Sequence, residues 1–368
     1  MNRQKTFYSV AAPIAALLMA LFVTSLALLA GGHNPLVAFQ KMVHYAGSVD
    51  SLVVVLNKSI PLFIAGLAVA VGFKMNLFNI GVEGQYRLAA IVAAAAGAAV
   101  HLPAPLHVAF ILLVAMCVGA FWAGIAGVLK VTRNVNEVVA TIMLNGVALG
   151  IIGVLLGWKP VATLQGAFRS TRPLDKSAWM PTFNKLFGLN KSITDSYGFI
   201  VIAAIVGVIV HILFTRTRFG FDLKASGMNP GAARASGVNP KAMVIRTMLI
   251  SGALAGLIGM SIVLNQEHRF TQEFPQQLGF GGIAVALVGR QKVGGIALAA
   301  MLFALIARVS QVLPEPPLRA PKEVGTIMQG TMILSAVIAY EVVRRRAEAA
   351  AVKHAAEVTA AAHVGAAA

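Results

Sequence analysis

Acidic side chains among apolar residues are the first places where this sequence could do chemistry, because a charge inside a core or a bilayer is costly unless it is used. Two stand near apolar helices, Glu83 and Glu137. Each has a structural reading beside the functional one of lining a polar path. Glu137 follows Asn134 by three residues, the spacing of a helix N-cap with an acid at N3. Glu83 follows Asn79 and Gly81 in what reads as a first helical turn, where a carboxylate meets the positive end of the helix dipole. Signatures of catalysis are missing: no G-x-x-x-x-G-K-[ST] phosphate loop and no G-x-S-x-G elbow occur. His33, His44, His101, His107, His211 and His268 show no metal-ligand spacing. Cys117, the one cysteine, reads as a small packing residue. Lys58, Arg87 and Arg308 fall near the expected ends of apolar segments and read as snorkelling cations.

A sharper signal is the stretch GFDLKASGMNPGAARASGVNPKAM, residues 220–243. Asn at an N-cap followed by Pro at N1 starts a helix. Asn229-Pro230 therefore opens a short helix that Gly237 closes at C′, and Asn239-Pro240 opens the next. Gly231, Ala232, Ala233, Ala235 and Ser236 are small, with Arg234 the one charge. Two isolated turns are unstable in water, so this helix needs a partner to pack on. The alternatives are a groove in another polypeptide or its own bundle.

The elements that must position these residues are set by composition. Of the 368 residues 58% are apolar and 12% charged, about half the usual charged share. Charge-poor runs at 7–30, 104–129 and 196–215 exceed the length of buried core helices. A soluble enzyme, a disordered chain and a secreted disulfide scaffold are excluded, leaving an all-α polytopic membrane protein. About ten segments are expected: 7–30, 53–73, 82–100, 105–129, 136–157, 196–215, 241–264, 280–289, 293–312 and 326–343. The basic stretch at Arg3 and Lys5 precedes an apolar run too long for a signal peptide, so a retained first span is expected. The charge balance of 30 − 13 = +17 follows the positive-inside rule better than nucleic-acid binding. Both termini are placed in the cytoplasm. The outer segment 158–195 breaks the rule with Lys159, Arg169, Arg172, Lys176, Lys185 and Lys191; with Trp158 and Trp179 it is a candidate docking surface or a plain solvated loop. Residues 1–346 read as one transmembrane domain and 347–368 as an Ala-rich cytoplasmic tail.

Glycines divide into two groups. Gly146, Gly150, Gly153 and Gly157, and Gly252, Gly256 and Gly259, follow helical spacing and read as packing seams. NLFNIGVEGQ (76–85) and LGFGGIAVALVG (278–289) instead interrupt apolar segments at corresponding places, consistent with an inverted repeat and with a solute path. Asn79, Glu83, Gln85, Glu137, Asn145, Gly281 and Gly282 are accordingly expected along a translocation pathway.

NLFNIGVEGQ, NVNEVVATIMLN (134–145), MNPGAARASGVN, SGALAGLIG (251–259) and FGGIAVALVG, in that order, resemble bacterial ABC-importer permeases of the nucleoside and simple-sugar group, within the ribose and branched-chain amino-acid permease superfamily. Departures are Arg290-Gln291-Lys292-Val293-Gly294 in place of the usual Asn-Pro-x-Gly, and Lys224 in place of an Arg. The resemblance implies a permease, not an enzyme, in the bacterial inner membrane, importing a nucleoside or a simple sugar. It implies a second, non-identical permease subunit, a substrate-binding protein outside, and no cofactor on this chain, ATP being bound by a separate ATPase. The ATPase would hold the coupling helix of Asn229, Pro230, Ala232, Ala233, Arg234, Ala235 and Gly237. An ion-coupled transporter is the rival class; it would need acids at mid-depth, whereas Glu83 and Glu137 read as lying near the cytoplasmic ends.

Overall fold

Side-chain caps start several of the helices, while others begin without one. The computed structural model describes residues 18–165, 168–184, 193–335 and 338. The tail 347–368, the start of the first expected span and the close of the last lie outside them. The chain divides into two units, Met1–Ala46 with Ile306–Ala368, and Gly47–Leu305.

The larger unit is a helix bundle. Ser48 caps α3 (Val49–Phe73), its hydroxyl accepting from the Ser51 amide. After α4 (Val82–Ala98) come α5 (Ala104–Arg133) and α6 (Glu137–Gly157). A hairpin of β1 (Ala162–Gln165) and β2 (Phe168–Thr171) pairs Ala162 with Thr171. Then follow α7 (Phe199–Arg216), α8 (Arg218–Met228), α9 (Pro230–Ala235) and α10 (Pro240–Leu257), which α11 (Met260–Ile262) and a π turn at Val263–Glu267 extend. The half-length α12 (Leu278–Val288) precedes α13 (Val293–Val309). Among the described residues six helices are long and apolar enough to cross a membrane, and α12 is among the shorter apolar ones.

Glycine fixes the centre of this bundle. A Cβ on Gly252 would stand 2.3 Å from the Gly119 carbonyl oxygen, and one on Gly256 2.0 Å from that of Ala115. The backbones of α5 and α10 thus touch, as small residues at these intervals permit. Gly259 faces Phe274 and Ala90. The seam expected on α6 is different: a Cβ at Gly146, Gly150, Gly153 or Gly157 meets nothing within 4 Å among the described residues. The reason is that α6 is peripheral, with 22% of its most apolar window buried against 83% for Pro240–Glu267. Cys117 is likewise exposed on α5, not packed.

The smaller unit holds α1 (Leu18–Ala30), α2 (Pro35–Ala46) and a helix at 324–335. Lys41 Nζ donates to the carbonyls of Glu315 and Pro316 at 3.1 and 2.6 Å. Arg308 lies 4.6 Å over the Tyr45 ring.

Candidate functional site

The interrupted segment 76–85 is built from polar side chains that hold each other. Asn79 exchanges two hydrogen bonds with Gln85, at 3.0 and 2.9 Å, and donates to Ser251 Oγ at 2.9 Å. The Ser251 hydroxyl in turn donates to the Ala68 carbonyl at 2.7 Å. Asn145, on α6, accepts from the Gly84 amide at 2.8 Å and donates to the Ile80 carbonyl at 3.0 Å. Each amide group thereby satisfies backbone or side-chain partners that a break in a helix leaves over. Asn79 and Gln85 are each 1% exposed.

These bonds fix the depth of the segment. Ser251 lies 11 residues inside α10, about 16 Å at the helical rise. The chain therefore turns back into the bundle after α3, and α4 begins inside it. Glu83, in the first turn of α4, is buried within the bundle. Its carboxylate does serve as a cap, though for a different helix. It accepts from the Gln277 amide at 2.8 Å, the Gly279 amide at 3.0 Å and the Tyr86 hydroxyl at 3.0 Å. Those amides open α12, so the two interrupted segments meet at one carboxylate. Gly279 needs to be glycine there, since a Cβ would stand 2.6 Å from the Glu83 nitrogen. Gly282 is pressed on α3 in the same way, 2.6 Å from Ala65 Cβ, and Gly281 faces Leu62 at 2.9 Å.

Glu137 stands at the edge of this junction, its carboxylate hydrogen-bonded to the backbone of Phe78 in the interrupted segment. Asn134 does not cap its helix: with φ 52° it closes α5 in the left-handed region, and Asn136 caps α6 by accepting from Val138 and Val139. Glu137 thus falls at the first helical position and pairs with Lys130 Nζ at 2.6 Å, tying α5 to α6. Arg87 does not snorkel. It is 8% exposed on α4, its Nε is buried without a partner, and no hydrogen bond or ion pair to it forms among the described residues.

At the end of the bundle where α3 finishes, the short-helix signals hold. Asn229 accepts from the Ala232 amide at 3.0 Å, Asn239 from that of Ala242 at 3.1 Å, and Gly237 adopts φ +81°. Pro230 takes the first turn of α9. Ala232, Arg234 and Ala235 are exposed, while Ala233 is buried at 3% within its own chain. Helix α8 was not expected. Thr217 caps it by accepting from Gly220, but its mixed polarity hides it from an apolar-run search. Asn76, at φ 55°, joins α8 to the interrupted segment by donating to the Gly227 carbonyl at 2.7 Å. Burial, and then Lys224 and Lys292 nearby, pull the Lys74 ammonium below its usual range.

The opposite end is closed by the hairpin. Thr171 donates to Phe270 O and Leu174 to His268 O, while Gln272 donates to Arg169 O, at 2.8–3.0 Å. Trp179 stacks on His268, centroids 3.8 Å apart. Burial, with Arg269 adding, lowers the His268 imidazole from its usual range. Burial, with Glu267 and Asp195 adding, pushes the Tyr197 phenol up to about 12. Within 158–195, residues 185–192 with Lys185 and Lys191 lie outside the described residues.

Apolar helices around re-entrant segments joined by polar side chains define a multi-pass membrane permease. The chain belongs to the family described as the permease component of branched-chain amino acid transport systems, whose model matches residues 51–337. It is 32% identical over 326 residues to the glucose ABC transporter permease protein TsgB13 of Haloferax volcanii, covering 88% of this chain and 85% of that one. To the nucleoside ABC transporter permease protein NupB of Lactococcus lactis it is 32% identical, covering 80% and 82%. To the guanosine ABC transporter permease protein NupP of Bacillus subtilis it is 29% identical, covering 90% and 93%. ABC importer permeases work with an ATPase and a substrate-binding protein, and the family is one of transporters rather than enzymes.

Proposed function

We propose that this chain imports a nucleoside through the cytoplasmic membrane of a bacterium, its termini and α8–α9 facing the cytoplasm. The likeness to NupB and NupP supports the substrate class. The likeness to TsgB13 supports a sugar as the second reading. Asn79, Glu83, Gln85, Asn145, Gly281 and Gly282 surround the pathway and hold its shape; Glu137 braces α5 against α6 at its cytoplasmic mouth. A second, non-identical permease subunit covers the open glycine face of α6, lipid covers the remaining apolar surface, and the hairpin end receives the binding protein.

The observation that carries the coupling assignment is the exposed face of a helix capped at both ends, flanked on α8 by Met228 at 86% and Phe221 at 69% exposure. The ATPase seats there. Because Ala233 is buried in its own chain, bulk at that position tests internal packing, and Ala232 and Ala235 are the positions that test docking. Overpacking costs roughly 1–3 kcal/mol, so Ala232→Trp should cut co-purification of the ATPase by about tenfold at 1.4 kcal/mol. Retention equal to wild type for both Ala232→Trp and Ala235→Trp would remove the assignment. Uptake of labelled guanosine against labelled glucose by the assembled importer decides the substrate.

A further inference from the structure

Arg87 is the one feature of the junction that its neighbours leave unanswered. Four residues separate it from Glu83, the helical spacing at which an acid and a base usually pair. Both Glu83 oxygens are instead occupied by α12 amides and Tyr86, and no ion pair to Arg87 exists among the described residues. A guanidinium does not shed its charge inside a protein. An arginine more than nine-tenths buried, its Nε unpartnered and with no acceptor among the described residues, carries a standing cost that a buried charge normally offsets with a partner. Its place sharpens the point. On α4 it stands one turn beyond Glu83 and Gly84, which contact α12 and α6 respectively. By helical spacing it shares the side of α4 that carries those two contacts, and it is as buried as Glu83.

From this we infer that Arg87 is a solute-binding residue of the pathway, supplying paired N–H donors to a transported molecule with two adjacent acceptors. The guanidinium fork suits such a pair. The carbonyl oxygen and ring nitrogen at the edge of a 6-oxopurine are spaced for it, the same edge that arginine reads in duplex DNA. Guanosine carries that edge. The vicinal hydroxyls of a hexose also set two oxygens side by side, but each is a donor as well as an acceptor, so a fork of N–H donors leaves their own protons unanswered. The inference rests on the permease reading and narrows its substrate.

The test uses the complete importer in proteoliposomes with ATP and saturating binding protein, with labelled guanosine and labelled glucose as probes. Arg87→Met should lower guanosine uptake at least tenfold and Arg87→Lys by less, with the ATPase still co-purifying. Purified together with its partner permease, the Arg87→Met chain should melt at or above the wild-type temperature, because an unpartnered charge has been replaced by a side chain of similar length. A residue engaged by an internal or partner-subunit acceptor would do the opposite. Arg87→Met that melts well below wild type, or fails to fold, makes Arg87 structural and overturns the inference. So does Arg87→Met with wild-type guanosine uptake, or a wild-type importer that carries glucose and not guanosine; in those cases the permease reading stands. A wild-type complex that accumulates neither probe with ATP overturns the inference and both substrate readings together.

Discussion

Removing the Glu83 carboxylate separates its role as a cap from a role in contacting solute. It accepts two backbone amides of α12 and one hydroxyl. A hydrogen bond to a charged group contributes about 1.5–3 kcal/mol, and a buried donor left alone costs about 1–3 kcal/mol. Glu83→Gln keeps one acceptor oxygen but turns an amide N–H toward a backbone N–H, so a loss of about 2–3 kcal/mol is expected. Glu83→Ala abandons all three donors, and about 3–6 kcal/mol is expected. The measurement is unfolding of the purified permease in mixed micelles by denaturing detergent, followed by tryptophan fluorescence, beside ATP-driven uptake per folded molecule. The cap account requires stability to fall in the order wild type, Gln, Ala. Wild-type stability in Glu83→Gln together with lost transport would refute it, since the carboxylate would then matter to the solute and not to α12.

Gly252→Val should prevent the α5–α10 contact and abolish folded yield, because its new atoms would meet backbone at 2.3 Å; Gly150→Val should leave the stability of the separated chain unchanged, read by melting in detergent. Asn76→Ala should keep the ATPase bound but lower uptake severalfold, since it cuts the bond between α8 and the interrupted segment; unchanged uptake would show that this bond carries no coupling. His268 is favoured neutral by burial, so its contribution to stability is full above the ordinary imidazole value of 6.5 and declines as the pH falls below it. Acidification should loosen the Trp179 stack, seen as a fluorescence change that His268→Phe abolishes.

What could be read from the chain was local. Asn229-Pro230, Gly237 and Asn239-Pro240 act on amides two or three residues away, and each does so in the structure. Glu83 could be read as a cap but not as whose, because its amide partners stand 194 and 196 residues along the chain. At the α5–α6 turn two asparagines compete, and a left-handed Asn134 decides in favour of Asn136. Glycine spacing is the same on α6 and α10; what distinguishes a seam from an open face is that α5 packs on the glycine face of α10 and on a different face of α6. Arg87 read as a snorkelling cation because its apolar segment was taken to start at the bilayer edge. The re-entrant turn through Asn79 moves that start inward, and no single-residue pattern encodes it.

The contact between α5 and α10 has a mechanical corollary. Where helices slide past one another in working proteins, interlocking side chains supply the successive resting positions. Between Gly119 and Gly252 there are none: main chain rests on main chain. Any separation forfeits close dispersion contact along both backbones at once. The two helices are thus a stiff keel rather than a bearing. A rearrangement that opened one side of the protein and shut the other would be expected to pivot around this keel and to bend at the broken segments, 76–85 and 278–289.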